Sequence, residues 1–267
     1  MNSFNIDLQK GAVLHRVRSG PRGSSTILLI HPLGYDLTYW SAQIDALQPL
    51  YDVVAIDLPG HGLSAGSPAD CDLSSISERL AGIIKSLGKG AVHVVGISVG
   101  GMIAQTLALA HPERVRSLCL IGTASTFPEA VRAAMIARAE AVEQGGMAAV
   151  LQSSLQRWFT ERTRTSRPEL IERVTRTLLA DDPTVHAAMW RAIAAFGVHE
   201  RLGEISCPTL VLVGDQDPST PPAMTEVLAE GIPGARMAVL ADTSHIAILE
   251  SPVAVNEQLL GFLAALP

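Results

Sequence analysis

Between residues 90 and 110 the chain reads GAVHVVGISVGGMIAQTLALA. A run rich in Val and Ile passes through Gly-Ile-Ser-Val-Gly-Gly directly into an Ala- and Leu-rich helical pattern, with no linker between the two. A backbone that changes from strand to helix within one turn needs small residues around it, and Gly96, Gly100 and Gly101 supply them. This is the form of a nucleophile elbow centred on Ser98, in which a sharp turn lifts the serine hydroxyl above the edge of a sheet. The stretch has about the length of a ~20-residue membrane span. However, His93 and the glycines interrupt it and no positively charged flank follows, so the strand-turn-helix reading stands.

Five further runs share the unbroken apolar character of residues 92 to 97: ILLI (27 to 30), VVAI (53 to 56), VRSLCLI (115 to 121), TLVLVG (209 to 214) and RMAVL (236 to 240). Strands without polar alternation suit a parallel sheet covered on both faces, and helical patterns lie between them near 38 to 48, 73 to 87, 99 to 110, 221 to 230 and 252 to 265. The expected fold is α/β, a mostly parallel doubly wound sheet. The chain's 267 residues are enough to bury a substantial core.

From about Ser125 to His199 the strands stop. Val131, Met135, Ala139 and Val142 fall on one helical face, as do Met147, Val150, Leu151, Leu155 and Trp158 beyond Gly145-Gly146. A third segment follows Pro168. The fourth starts at Asp182-Pro183, carries the stripe Val185, Met189, Ile193 and Phe196, and stops at Gly197. Residues 125–200 therefore read as an all-helical cap of about four helices, with 1–124 and 201–267 as the core. Inserted between two core strands, such a cap can sit over the carboxyl ends of the sheet, where α/β folds bind ligands. Trp158, Trp190, Met189 and Phe196 are its candidate pocket residues.

A serine is a poor nucleophile without a base, and the base needs a carboxylate to hold its tautomer. After Ser98 the chain offers VLVGDQDPSTPP (211 to 222) and ADTSHIAILESP (241 to 252), each following a strand run. Asp217 and His245 thus fall at the same sheet edge as the elbow, in the order Ser, Asp, His. Asp215 competes with Asp217, but it lies closer to the strand and suits a bond to the turn's own backbone. His31 and His61 compete with His245, but both precede the serine and sit in turns. The oxyanion of a tetrahedral intermediate needs two donors. Val99 N–H follows the nucleophile, and the other donor belongs to the turn at 31 to 34, where Pro32 has no N–H and Leu33 has one.

With HPLG at 31 to 34, DLPGHGLS at 57 to 64, GISVGG at 96 to 101, GDQD at 214 to 217 and SHIAILESP at 244 to 252, the chain resembles the α/β-hydrolase superfamily over nearly its whole length. HPLG with Trp40 downstream, the segment EQGGMAAVLQSSLQRWFT and the compact cap resemble the 3-oxoadipate enol-lactonases and related carboxylesterases, with Ser244 standing where Ala is usual. The resemblance implies Ser98, Asp217 and His245 as a triad that hydrolyses a small-molecule carboxylic ester or lactone without metal or cofactor. Hydrolysis of a carbon-carbon bond in ring-cleavage products is the alternative with the same triad, and a slow-turnover ligand sensor is a second. A carboxylate-bearing lactone would need a cation, for which the cap offers Arg132, Arg138, Arg157 and Arg191.

The remaining composition excludes partners. A net charge of −6 with both signs scattered leaves no basic cluster for a nucleic acid. Cys71, Cys119 and Cys207 are widely spaced, with no C-x-x-C pair for zinc or redox chemistry. MNSFNIDLQK has no apolar leader pattern, so the expected setting is cytoplasmic, with no membrane partner and the oligomeric state left open.

Overall fold

Each of the six apolar runs forms a strand whose ends agree with the sequence reading to within one residue. The computed structural model describes residues 14–88 and 90–266, so the MNSFNIDLQK segment lies outside the described residues. The strands are β1 (Arg16–Ser19), β2 (Thr26–Ile30), β3 (Asp52–Ile56), β4 (Val92–Ile97), β5 (Val115–Ile121), β6 (Thr209–Gly214) and β7 (Arg236–Leu240). They form one sheet in the order β1-β3-β2-β4-β5-β6-β7, parallel throughout except that β1 runs antiparallel to β3. β1 is the strand missing from the sequence reading. Its four residues RVRS lack an apolar run, and Arg18 is tied to the fully buried Asp52 by an ion pair.

Side chains alternate across the pleat, and both sets are covered. Leu28 and Ile30 of β2 enter one apolar cluster, with Ile76, Leu80, Ile103 and Leu107, whereas Ile27 and Leu29 enter the other, with Leu47, Val255 and Leu259. This two-sided burial is why β2 to β6 read as apolar runs, whereas β7, at the sheet edge, buries only Leu240 fully. The helices, in chain order, are α1 (Ser41–Leu47), α2 (Leu73–Ser86), α3 (Val99–Ala110), α4 (Glu129–Gly145), α5 (Ala148–Trp158), α6 (Glu161–Ser166), α7 (Pro168–Ala180), α8 (Pro183–Ala195), α9 (Pro222–Gly231), α10 (Ala247–Glu250) and α11 (Pro252–Ala264). Among the described residues no helix is long and apolar enough to cross a membrane.

Helices α4 to α8 lie between β5 and β6, five rather than about four. The unforeseen member is α6, whose ERTRTS sequence has no apolar stripe to reveal it; the Thr160 side chain caps it by accepting from Thr163 N–H. Asp182 caps α8 as expected, accepting from Thr184 and Val185 N–H, with Pro183 in the first turn. Along α8, Val185, Met189 and Ile193 join the same cluster as Leu33, so this helix seats the helical segment on the core. Gly60 accommodates that contact, since a Cβ there would lie 2.5 Å from Val185 Cγ1.

β2 has β3 on one side and β4 on the other, so the chain winds outward in opposite directions from this pair. Such a reversal leaves a crevice beyond the carboxyl ends of β2 and β4. The segments that follow these two strands are His31–Gly34 and Ser98–Val99.

Candidate active site

Ser98 stands between β4 and α3 at φ 55°, ψ −121°, a left-handed backbone that a residue with a Cβ rarely adopts. Two contacts hold it there: Ser98 N–H donates to Ile121 O at 2.9 Å, and Thr123 Oγ donates to Ser98 O at 2.8 Å. The glycines are required by close approach. A Cβ on Gly96 would stand 2.2 Å from Gly100 O, and one on Gly100 would stand 2.3 Å from Ile30 O.

His245 Nε2 lies 3.0 Å from Ser98 Oγ, and His245 Nδ1 lies 2.8 Å from Asp217 Oδ2. Asp217 is itself fixed. Its Oδ1 accepts from Ser219 N–H at 2.7 Å and Thr220 N–H at 3.0 Å, and Thr220 Oγ donates to Oδ2 at 2.8 Å. Burial alone raises the pKa of this carboxyl. The charge of His245 and the hydrogen bonds from His245 and Thr220 outweigh that effect and hold it below the ordinary aspartate value. An ionised Asp217 accepts from Nδ1–H and leaves the Nε2 lone pair facing the serine. Thr220, which the sequence reading passed over, is the second anchor of this carboxylate.

The rivals occupy other positions. Asp215 is exposed, and its Oδ1 accepts from Thr243 N–H at 3.1 Å; the bond reaches the neighbouring loop rather than the turn's own backbone. His31 is fully buried between Leu58 N–H, which donates to its Nε2 at 2.9 Å, and Pro32 O, 2.8 Å from its Nδ1; burial, then the nearby His61, pushes its pKa down to about 3. His61 is buried, with its Nε2 accepting Gly34 N–H at 3.3 Å and its Nδ1 2.9 Å from Pro59 O. Ser244 uses its hydroxyl, donating to Arg157 O at 3.2 Å and Gln216 O at 3.3 Å. Glu250 was also unforeseen: its carboxylate accepts from Ser244 N–H at 2.6 Å and Thr160 N–H at 2.9 Å, tying the His245 loop to the helical segment.

Ser98 and His245 open into a cavity of about 420 Å³. Leu33, Trp158 and Trp190 line it, as do Arg138 and Arg157. Met189 and Phe196 do not. Met189 is fully buried on the α8 stripe that packs against the core, and Phe196 faces a separate hollow with Leu73 and Val198. Trp190, about 100° further round the helix, is the residue that turns toward the cavity. Val99 opens α3, so its N–H belongs to the first turn, where no intrahelical acceptor exists.

Of the four arginines, two are committed elsewhere. Arg132 donates to the carbonyls of Phe127, Ala194 and Phe196, and Arg191 pairs with Glu143. Neither Arg138 nor Arg157 has a carboxylate partner among the described residues. Arg138 donates to Ser154 Oγ and, at 3.2 Å, to Val150 O, lies 5.2 Å from the centre of the Trp190 ring, and keeps a buried Nε without an acceptor. Burial, then repulsion from Arg157, pushes its pKa down to about 10.

A family model described as the alpha/beta hydrolase fold matches residues 25–252, and the chain belongs to that family. It is a hydrolase of the class that acts on carboxylic ester or lactone bonds. It is 31% identical over 237 residues to 3-oxoadipate enol-lactonase 2 of Acinetobacter baylyi, covering 89% of this chain and 88% of that one. A second relative from the same organism, (E)-2-((N-methylformamido)methylene)succinate hydrolase, is 29% identical over 271 residues, all of both chains. The crystal structure of the enol-lactonase from Burkholderia xenovorans LB400 superposes with a TM-score of 0.87 at 28% identity, covering 94% of this chain and 96% of that one.

Proposed function

We propose that the protein hydrolyses a carboxylate-bearing lactone or ester through Ser98, His245 and Asp217, of the enol-lactone kind named for its relatives. The observation that carries this reading is the Ser98–His245–Asp217 chain, with links of 3.0 and 2.8 Å, opening into a cavity that holds two arginines without carboxylate partners among the described residues.

His245 Nε2 takes the proton of Ser98 Oγ as the oxygen attacks the substrate carbonyl, and Asp217 stabilises the imidazolium that results. The N–H groups of Val99 and Leu33 receive the negative charge that develops on the carbonyl oxygen. Collapse expels the alkoxide or enolate, which takes the proton from His245 and leaves an acyl-enzyme on Ser98. For a lactone the leaving group remains attached as part of the ring-opened acyl chain. Water, activated by the same imidazole, then releases the acid. Arg138 and Arg157 bind the distant carboxylate. Two cations facing one cavity without counter-ions are costly until an anion arrives, and the names of both curated relatives specify carboxylate-bearing compounds, an adipate and a succinate. Helices α4 to α8 act as the cap that closes over the substrate. The three unpaired thiols suit a reducing setting, and a cytoplasmic site of action forms part of this proposal.

The test is Ser98→Ala, assayed on a slowly turned-over aryl ester. Turnover should fall by ~10⁶, the scale of nucleophile loss in a serine protease, and the acyl adduct found by mass spectrometry on the wild-type Ser98 peptide should vanish. A folded variant that keeps near-normal turnover would overturn the assignment.

A further inference from the structure

The cavity that Ser98 opens into is chemically unequal along its length. Two of the helices that line it, α4 and α8, run antiparallel. Arg132, near the start of α4, donates to Ala194 O and Phe196 O at the end of α8, whereas Arg138, six residues on, lies against Trp190. Ala130, Val131, Ala134, Met135 and Arg138 all line the cavity, so one face of α4 follows it for about 12 Å at ~1.5 Å per residue. Arg138 marks one end of this face, with Trp190 beside it and Arg157 close enough to repel it. The other end is made by Phe127, Ala130, Val131, Ala134 and Ile193, side chains without a single donor or acceptor.

Packing leaves this apolar end uncovered. Ala130 and Ala134 are exposed and Val131 and Met135 are half-buried, while Ala139 and Val142 on another face of the same helix are fully buried. Apolar surface that the protein does not cover itself is surface held for something else. Because it belongs to the cavity shared by Ser98 and His245, what covers it is part of the molecule being hydrolysed. A small dicarboxylic skeleton has a carboxylate for the arginines and a carbonyl for Ser98, and nothing for this third region.

The histidine loop orients the substrate between the two ends. Ile246 N–H donates to Trp158 O at 3.1 Å and Ser244 Oγ donates to Arg157 O at 3.2 Å, so both neighbours of His245 hang from the segment that carries Arg157. His245 returns its proton to the leaving oxygen, which therefore lies toward the arginines. The acyl carbon then faces the apolar end.

We infer that the apolar end is an acyl-chain subsite, and that the substrate is an ester or lactone with a hydrocarbon chain of several carbons on its acyl side and its carboxylate on the leaving-group side. This rests on the proposed roles of Ser98 and of the two arginines. In the acyl-enzyme the chain lies along α4 while the carboxylate departs with the alcohol; in a lactone the two parts stay joined. Met102 and Met224, also in the lining, have flexible thioether chains that adapt to the shape of such a ligand.

A series of 4-acyloxybenzoates with acetyl, butanoyl and hexanoyl chains tests this, since the leaving 4-hydroxybenzoate carries the carboxylate. Burying one methylene is worth about fourfold in binding, and a subsite open to solvent realises part of that, so kcat/KM should rise at least about tenfold from acetyl to hexanoyl. Ala134→Phe, at an exposed helix position that accepts a larger side chain, fills the apolar end and should cut that rise to within about threefold. Monoalkyl succinates, with the carboxylate on the acyl side and the chain on the leaving oxygen, should show no comparable rise from methyl to pentyl. Acyl 4-nitrophenyl esters lack the carboxylate and keep the chain. The rise should persist with them, so a failure of the arginine reading is distinguishable from a failure of the subsite, and Ser98→Ala tests the nucleophile separately. The inference is overturned by a wild-type hexanoyl ester within threefold of the acetyl ester, by a rise that folded Ala134→Phe keeps in full, or by an equal rise in the monoalkyl succinates.

Discussion

Replacing Asp217 with Asn is a sharp test of the triad because the structure fixes which way the new amide must point. The Oδ1 position receives two backbone N–H groups, from Ser219 at 2.7 Å and Thr220 at 3.0 Å. An NH₂ placed there would orphan both donors at ~1–3 kcal/mol each, so the amide oxygen takes that side and the NH₂ takes the Oδ2 side. The NH₂ then faces His245 Nδ1, which the wild-type carboxylate keeps protonated at 2.8 Å. Imidazole responds by moving its hydrogen to Nε2. That nitrogen now donates toward Ser98 Oγ instead of accepting from it, and the base is lost while every heavy atom stays in place. The matching substitution in a serine protease lowers kcat ~10⁴-fold, and the same loss is expected here. Asp215→Asn is the control. Its single acceptor role, toward Thr243 N–H at 3.1 Å, is one that an amide oxygen can keep, so its rate should stay within about threefold of wild type, the range of an exposed substitution. Initial rates on an aryl ester, with circular dichroism to show folding, decide the matter. A folded Asp217→Asn within tenfold of wild type would refute the tautomer argument, and a slower Asp215→Asn would exchange the roles of the two carboxylates.

Arg138→Gln should raise KM for a carboxylate-bearing lactone by ~10–100-fold, the worth of one charge-assisted hydrogen bond, and leave the neutral methyl ester nearly unchanged. Equal effects on both substrates would remove the anion-binding role. Gly100→Ala should lower the melting temperature measured by calorimetry, because its Cβ would meet Ile30 O at 2.3 Å; relief of such an overlap costs ~1–3 kcal/mol. Asp181, raised from 3.8 to about 6 by burial, contributes stability that is full below pH 3.8 and is lost as pH rises through about 6. Asp181→Asn should therefore raise the melting temperature at pH 8 and leave it nearly unchanged near pH 4, and no gain at pH 8 would contradict that sign.

The legible parts of this fold share one property: a single local constraint fixes them. Buried parallel strands need apolar side chains on both faces, so β2 to β6 stand out as runs, while β1, half-exposed and held by the Arg18–Asp52 ion pair, does not; β7, an edge strand with only Leu240 buried, is legible from its apolar sequence alone. The elbow is legible because Gly96 and Gly100 face backbone atoms closer than any Cβ allows. The α8 cap and stop are legible for the same reason, since Asp182 and Pro183 act within their own turn. α6 has a local cap in Thr160, but its ERTRTS sequence carries no apolar stripe, and the Glu250 carboxylate that holds Thr160 lies 90 residues away.

Site residues divide in the same way. Ser98, Asp217 and His245 each follow a strand, so chain order alone brings them to one edge of the sheet. Pocket residues follow helix rotation, where one step decides the outcome. Met189 lies on the core stripe and Trp190 on the cavity side, and apolar character cannot separate them. Charge is less legible still. Arg132, Arg138, Arg157 and Arg191 look alike in a helix, yet Arg132 donates to the carbonyls of Phe127, Ala194 and Phe196 and Arg191 pairs with Glu143, while Arg138 and Arg157 have no carboxylate partner among the described residues. What marks an arginine for a ligand is the absence of a protein carboxylate at the end of a partly buried chain, and that is a property of its neighbours. The same reasoning separates the histidines of this protein. His31 and His61 lie in family motifs as plain as that of His245, but Leu58 and Gly34 N–H have already filled their lone pairs, and only at His245 does the free Nε2 meet a hydroxyl.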